Sequence, residues 1–381
     1  MLQGLPFSED FSIFALPGML TSWRAPTYES VLIFSSFLIF LGVGSHIVPG
    51  KYVKGQPLIY DQTKRLTYKI NGLNLFFCLI GFFFFGSYYM KWFEPTLVYD
   101  HFGPIFTTVN IFATLLTITL FITGITSGRG KREGNLIHDL FLGVELNPRF
   151  AGLDLKFFAL RPALMGWIMV NFSLAAQEYK VYGSLSTGMI LYQIFTFIYA
   201  FDYFYFEECM LSTWDIIAEN WGFMLIWGDL VWICFMFAVQ PWFLLYNRIH
   251  LTPIQMIIIS TIFAIGFAVF RISNSQKHQF KTNPKSLIWG KKPETIAGKL
   301  LVSGFWGILR KPNYLGDWIV AFSFSFPCLF NTPIVYLYPI YLVVLNSHRQ
   351  WRDHQKCSKK YGELWKEYCR RVPYVVLPGL I

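Results

Sequence analysis

The chain has 381 residues, of which 54% are hydrophobic, 19% aromatic and only 14% charged. Soluble domains carry about 25% charged residues, so this composition excludes an ordinary soluble enzyme and points to a protein that crosses the membrane many times. The formal charge of +10 is read as loop charge that sets topology rather than as a nucleic-acid surface.

In chain order, the first ~25 residues carry Glu9 and Asp10 and lack a basic start followed by an apolar stretch, so no cleavable signal is expected. Apolar runs of spanning length, about 17–25 residues, lie near 28–48, 71–93, 103–126, 160–176, 184–206, 222–246 and 253–271. Two more, 315–330 and 333–347, read as a helical hairpin broken at Asn331-Thr332-Pro333, and a tenth is expected in 9–24 or 296–310. Lys51 to Lys69, Arg129 to Arg161, Lys277 to Lys299 and the C-terminal tail all follow odd-numbered spans, so one basic face is expected to be cytoplasmic. The loop 207–219 is acidic instead and breaks that pattern. The six cysteines show no CxxC or zinc-type spacing and the histidines no HxxxH spacing, so no metal is expected. The fold class predicted is all-α: one integrated membrane domain of about ten transmembrane helices, with residues 1–270 as the N-terminal transmembrane helices, forming the substrate-facing part, and the more polar 271–381, C-terminal helices and loops, forming a cofactor pocket.

Five constellations stand out. In 134–149, Asp139 and Glu145 can hold basic side chains of neighbouring loops, or simply satisfy a folded interfacial loop. Tyr199, Asp202 and Asp229 sit in or beside apolar spans. There a carboxylate is paired or neutral, and serves either as a proton donor or as part of an internal polar network. Lys277 and Lys281 are four apart and share a helical face, which suits phosphates or anionic headgroups. In 301–317, Trp306 can stack on a ring, Arg310 and Lys311 can meet phosphate, Asn313 can bond an amide or ribose, and Asp317 reads as a helix cap or a partner for a base. Finally, Arg349, Asp353 and Lys356 share one helical face, with Tyr361 beyond. Basic and aromatic groups repeated at three places point to a phosphate-rich ligand at the membrane surface. Gly128-Arg-Gly130 through Gly134 nearly matches a dinucleotide fingerprint but lacks the strand–helix–strand setting.

These residues resemble the sterol reductase family, which includes the Δ14-sterol reductases, 7-dehydrocholesterol reductase, the fungal Δ24(28)-sterol reductases and the membrane part of the lamin B receptor. The resemblance rests on GNLIHDLFLGVELNPR (134–149), YAFDYFYFEE (199–208), WGD (227–229), SLIWGKKP (286–293), LLVSGFWGILRKPNYLGD (300–317) and HRQWRDHQKCSKKYGELWKEYCRRVPY (348–374). It implies about ten spans and NADPH-dependent reduction of a sterol double bond, most simply Δ14, in which an acid protonates the alkene and hydride then reaches the carbocation. It also implies Lys277, Lys281, Leu301, Trp306, Asn313, Tyr314, Arg349, Asp353 and Tyr361 at NADPH, and Tyr199 with Asp353 in the proton-donor system. Family members commonly have Arg-His at Arg310-Lys311, Arg at Lys281 and Tyr at His138. The alternatives are Δ7 or Δ24 regiochemistry, a non-catalytic sterol-binding scaffold, and an isoprenylcysteine-type methyltransferase using S-adenosylmethionine. The membrane expected is that of the endoplasmic reticulum in a eukaryote or the inner membrane in a bacterium.

Overall fold

Thr27 starts the first helix by a reciprocal cap: its hydroxyl accepts from the Ser30 amide at 3.2 Å, and the Ser30 hydroxyl accepts from the Thr27 amide at 2.9 Å. The computed structural model describes residues 24–58, 61–283 and 285–379. The chain divides into two units, Met1–Arg248 and Ile249–Ile381.

The first unit contains α1 (Tyr28–Ile47), strands β1 (Lys51–Leu58) and β2 (Asp61–Ile70), α2 (Gly72–Phe84), α3 (Phe102–Thr126), α4 (Leu136–Leu142), α5 (Leu155–Tyr182), α6 (Thr187–Tyr205) and α7 (Phe223–Asn247). α2 runs on as a π-helical turn, Phe85–Tyr89, and α7 is π-helical over Gly228–Met236, where Asp229 is buried. The hairpin β1–β2 pairs Lys51 with Ile70 and corrects the all-α expectation for that loop. α5 is the buried axis of the unit: 78% of its apolar stretch is covered, against 28% for α1. An apolar cavity of about 550 Å3 opens between these helices, lined by residues such as Phe37, Phe83, Met169 and Phe235.

The loops of this unit are tied by ion pairs. Arg161 donates to Glu207 at 3.0 Å, to the Ser45 hydroxyl at 2.6 Å and to the Lys69 carbonyl at 3.0 Å. Glu207 also accepts from the Gly72 amide at 2.8 Å, and Lys51 pairs with Glu208. The acidic loop thus docks against the basic hairpin on the same side, which removes the anomaly seen in the charge pattern. In 134–149, Asp139 meets Arg132 at 3.1 Å and Glu145 meets Arg129 at 3.1 Å. Burial pushes the Asp139 carboxyl up, but His138, Arg132 and the Glu133 and Gly134 amides hold it down at about 2.

The second unit contains α8 (Pro253–Thr282), the small strands β3 (Thr295–Ile296) and β4 (Leu300–Leu301), a 3₁₀ turn (Gly304–Gly307), α9 (Pro312–Ser325), α10 (Leu337–Tyr361) and α11 (Glu363–Arg371). α8 and α9 cross backbone to backbone: a Cβ on Gly316 would lie 2.4 Å from the Phe270 amide nitrogen, and one on Gly266 2.6 Å from Ile319. Small residues permit this approach.

Among the described residues six helices are long and apolar enough to cross a membrane: α1, Gly72–Tyr89, α3, α5, α7 and α8. Segment 184–206 folds as α6, but four tyrosines among nineteen residues lower its apolarity. The expected span at 315–330 is the 14-residue α9 followed by a 3₁₀ turn, and the one at 333–347 starts as a 3₁₀ turn before α10. Residues 296–310 are strand and 3₁₀ turn and form no span, because backbone pairing of Thr295–Ile296 with Leu300–Leu301 folds them back. The alternative at 9–24 lies outside the described residues but for Arg24.

Candidate functional site

α8 carries Lys277 and Lys281 on its last turns, where the helix leaves its apolar stretch. The following chain returns to that end. The Trp306 indole N–H donates to the Ser273 carbonyl at 2.8 Å and the Phe305 amide to Gln276 Oε1 at 3.0 Å. Gly304, at φ +60°, makes this return possible, since a Cβ there would sit 2.5 Å from Gln276 Oε1. Trp306 is only 4% exposed, and the Lys277 ammonium lies 4.1 Å from its ring centroid. One indole face is therefore occupied by a cation, and burial of the ring among Ile288, Leu301 and Phe280 leaves little of it for the expected stacking role. Leu301 packs with Ile288 and Trp306 in a small buried cluster.

Pro312 opens α9 with the backbone angle a helix needs. Asn313 and Tyr314 follow in the first turn, and the Asn313 Oδ1 is buried without a hydrogen-bond partner among the described residues. A buried acceptor left unpaired is costly, so this atom is a place for a ligand donor. Asp317 does not cap the helix as expected. It lies inside α9 and accepts from Asn346 of α10 at 3.3 Å.

α10 carries Arg349, Asp353 and Tyr361. The Asp353 carboxylate bonds the Lys311 ammonium. Burial would raise the Asp353 carboxyl, but Lys311, then Lys277 and Lys356, hold it below the usual carboxylate range. Arg349 acts electrostatically on Tyr314. Tyr361 packs on the buried cluster of Ile296, Val302, Trp365, Tyr368 and Val372. Arg310 differs from the expected phosphate contact: its guanidinium donates to the Pro373 carbonyl at 2.9 Å and the Cys369 sulfur at 3.1 Å. Lys311 likewise meets Asp353 instead of standing open.

The second unit thus gathers Lys277, Trp306, Lys311, Tyr314 and Asp353 through direct or electrostatic contact, with Lys281, Leu301, Asn313, Arg349 and Tyr361 on the same elements. Tyr199 belongs to the first unit, half-buried on α6 with its ring edge-on to Trp167 at 6.3 Å. On that helix Tyr203 follows Tyr199 by one turn, and its buried hydroxyl has no hydrogen-bond partner among the described residues. Its i+4 spacing from Tyr199 is the sequence signal for that placement.

The six apolar helices of spanning length among the described residues define a multi-pass helical membrane protein. The chain belongs to the ergosterol biosynthesis ERG4/ERG24 family, which it matches over residues 12–381. It is 44% identical to the Delta(14)-sterol reductase of Arabidopsis thaliana, across 93% of this chain and 96% of that protein. It is 40% identical to the Delta(14)-sterol reductase of Dictyostelium discoideum (94% and 80%) and 35% identical to the 7-dehydrocholesterol reductase of Xenopus laevis (94% and 81%).

Proposed function

We propose that the protein reduces the Δ14 double bond of a sterol with NADPH. The observation that carries this reading is the 44% identity to a Delta(14)-sterol reductase over nearly the full length of both chains. The lower identity, 35%, to a 7-dehydrocholesterol reductase does not favour Δ7 reduction. Both need a reductant, and what supports a phosphorylated dinucleotide in the second unit is the lysine pair Lys277 and Lys281 on one helix end and the orphaned Asn313 acceptor.

In this reading Lys277, Lys281 and Arg349 neutralise phosphate, while Trp306, Asn313 and Tyr314 bind the ring and its amide. Leu301 and Tyr361 form apolar walls. Bound NADPH supplies the hydride. Tyr199 gives the proton that the alkene takes up, and Asp353, held as an anion, receives hydrogen bonds. The first unit takes up the sterol. α6, α9 and the first half of α10 bring the spans towards ten, in the endoplasmic reticulum of a eukaryote or the inner membrane of a bacterium.

The test is sterol analysis after expression in a host lacking its own sterol reductases, together with purified protein given NADPH and Δ14 or Δ7 substrates. Loss of the Δ14 bond is expected, and Tyr199→Phe should lower turnover at least tenfold while NADPH affinity holds. No turnover on either substrate overturns the reading, and full activity of Tyr199→Phe removes that residue from proton transfer.

A further inference from the structure

We propose that Lys311 is a positioning residue for Asp353, and that the backbone of Tyr374 and Val375 sets Lys311 in place. The inference rests on the reading of this site as the NADPH site and adds to it a residue that holds the acidic member.

The geometry is built from the chain terminus inward. Val372, Val375 and Val376 are buried, which anchors the tail. Two consecutive amides then dock on it: Arg310 N–H donates to the Tyr374 carbonyl at 2.9 Å and Lys311 N–H to the Val375 carbonyl at 2.8 Å. The Arg310 guanidinium closes the same junction through Pro373 and Cys369. Lys311 therefore leaves a fixed backbone, just ahead of α9, and its ammonium reaches Asp353. Its side chain is 13% exposed and that of Asp353 33%, so the pair is shielded enough for its geometry to matter.

The groups acting on or around Asp353 are Lys277 from α8, Lys311 and Tyr314 at the start of α9, Lys356 and Cys357 from α10, and Tyr368 from α11. Of the three ammonium groups, Lys277 is engaged over Trp306 and Lys311 makes the direct bond. Without Lys311, burial acts on a carboxylate that has lost its contact. Asp353 then protonates more readily and loses its aim.

The experiment measures NADPH binding to the full-length protein as a function of pH. A group that needs its anion gives an acid limb, where affinity falls as pH drops through the Asp353 value. Lys311→Met should move that limb up by about 1 pH unit or more, since an adjacent cation lowers a carboxyl by roughly that amount. Lys311→Arg should return the limb, and Asp353→Asn should abolish it. Lys311→Met placed on Asp353→Asn should add little, because the two act as one unit. An unmoved limb in Lys311→Met, with wild-type binding stoichiometry as proof of folding, overturns the inference, as does an additive double variant. If Lys311→Met does not fold, the position of the limb in Lys311→Arg and its loss in Asp353→Asn decide the matter. Wild-type protein that binds no NADPH overturns the functional reading itself, and the inference with it.

Discussion

Arg161 and Glu207 stand 46 residues apart and are 3% and 2% exposed as side chains. Each satisfies the other, and each also binds backbone or hydroxyl groups of neighbouring elements. Removing one partner of such a pair leaves a buried, uncompensated charge, a loss of about 3–5 kcal/mol. Arg161→Met is therefore expected to lower the thermal midpoint in detergent markedly, while Glu207→Gln, which keeps an acceptor, lowers it less. Equal midpoints for Arg161→Met and wild type would contradict this. From sequence alone Arg161 reads as loop charge and Glu207 as a break in the charge pattern, because residue type carries no information about a partner 46 positions away. The same limit hid the contact between Lys311 and Asp353, 42 residues apart. What is legible at this scale is local: the shared face of Lys277 and Lys281 and the helical row of Arg349, Asp353 and Lys356, both set by short-range geometry.

The pair α8 and α9 shows what the elements contribute. Trp306 hangs from α8 through Ser273, and Asn313 and Tyr314 start α9, so the crossing of the two helices sets the distance between these groups. The crossing depends on Gly316, whose added Cβ would meet the Phe270 amide nitrogen at 2.4 Å. Backbone cannot yield as a side chain can. Gly316→Ala is expected to destabilise the protein by about 1–3 kcal/mol and to weaken cofactor binding. Gly42→Ala is the control: nothing lies within 4 Å of its Cβ position, so the change should be neutral or slightly stabilising in thermal melts. If the two variants melt alike, close helix approach is not what fixes the site. Helices were legible as elements because long apolar runs have few other solutions in a membrane. The hairpin β1–β2 was not, since its strands are basic and polar on a connection that reads as a loop. Nor were the π-helical turns, which arise from packing rather than from any local propensity.

For the molecule as a whole, the net charge of +10 is distributed by side. In the first unit the loop after α1 and the loop after α3 meet: Arg149 donates to the Thr67 carbonyl at 2.8 Å and lies 5.3 Å from the Tyr68 ring centroid, and Tyr68 donates to Asp154. The acidic loop after α6 joins them through Lys51–Glu208, Arg161–Glu207 and the Lys156 ammonium, which donates to the Ile216 and Glu219 carbonyls. Three loops that close on one another must lie on one side of the bilayer, and from their basic content we propose that this side is the cytoplasmic one. The opposite ends of the same helices carry Lys180, at the end of α5. In a cysteine-free background, Lys131→Cys and Ser212→Cys are expected to react with an impermeant maleimide only from the cytoplasmic side, and Lys180→Cys only from the other. Labelling of Ser212→Cys from the side of Lys180→Cys would separate the acidic loop from the basic ones. It would also break the ion-pair network on which this account of the charge pattern depends.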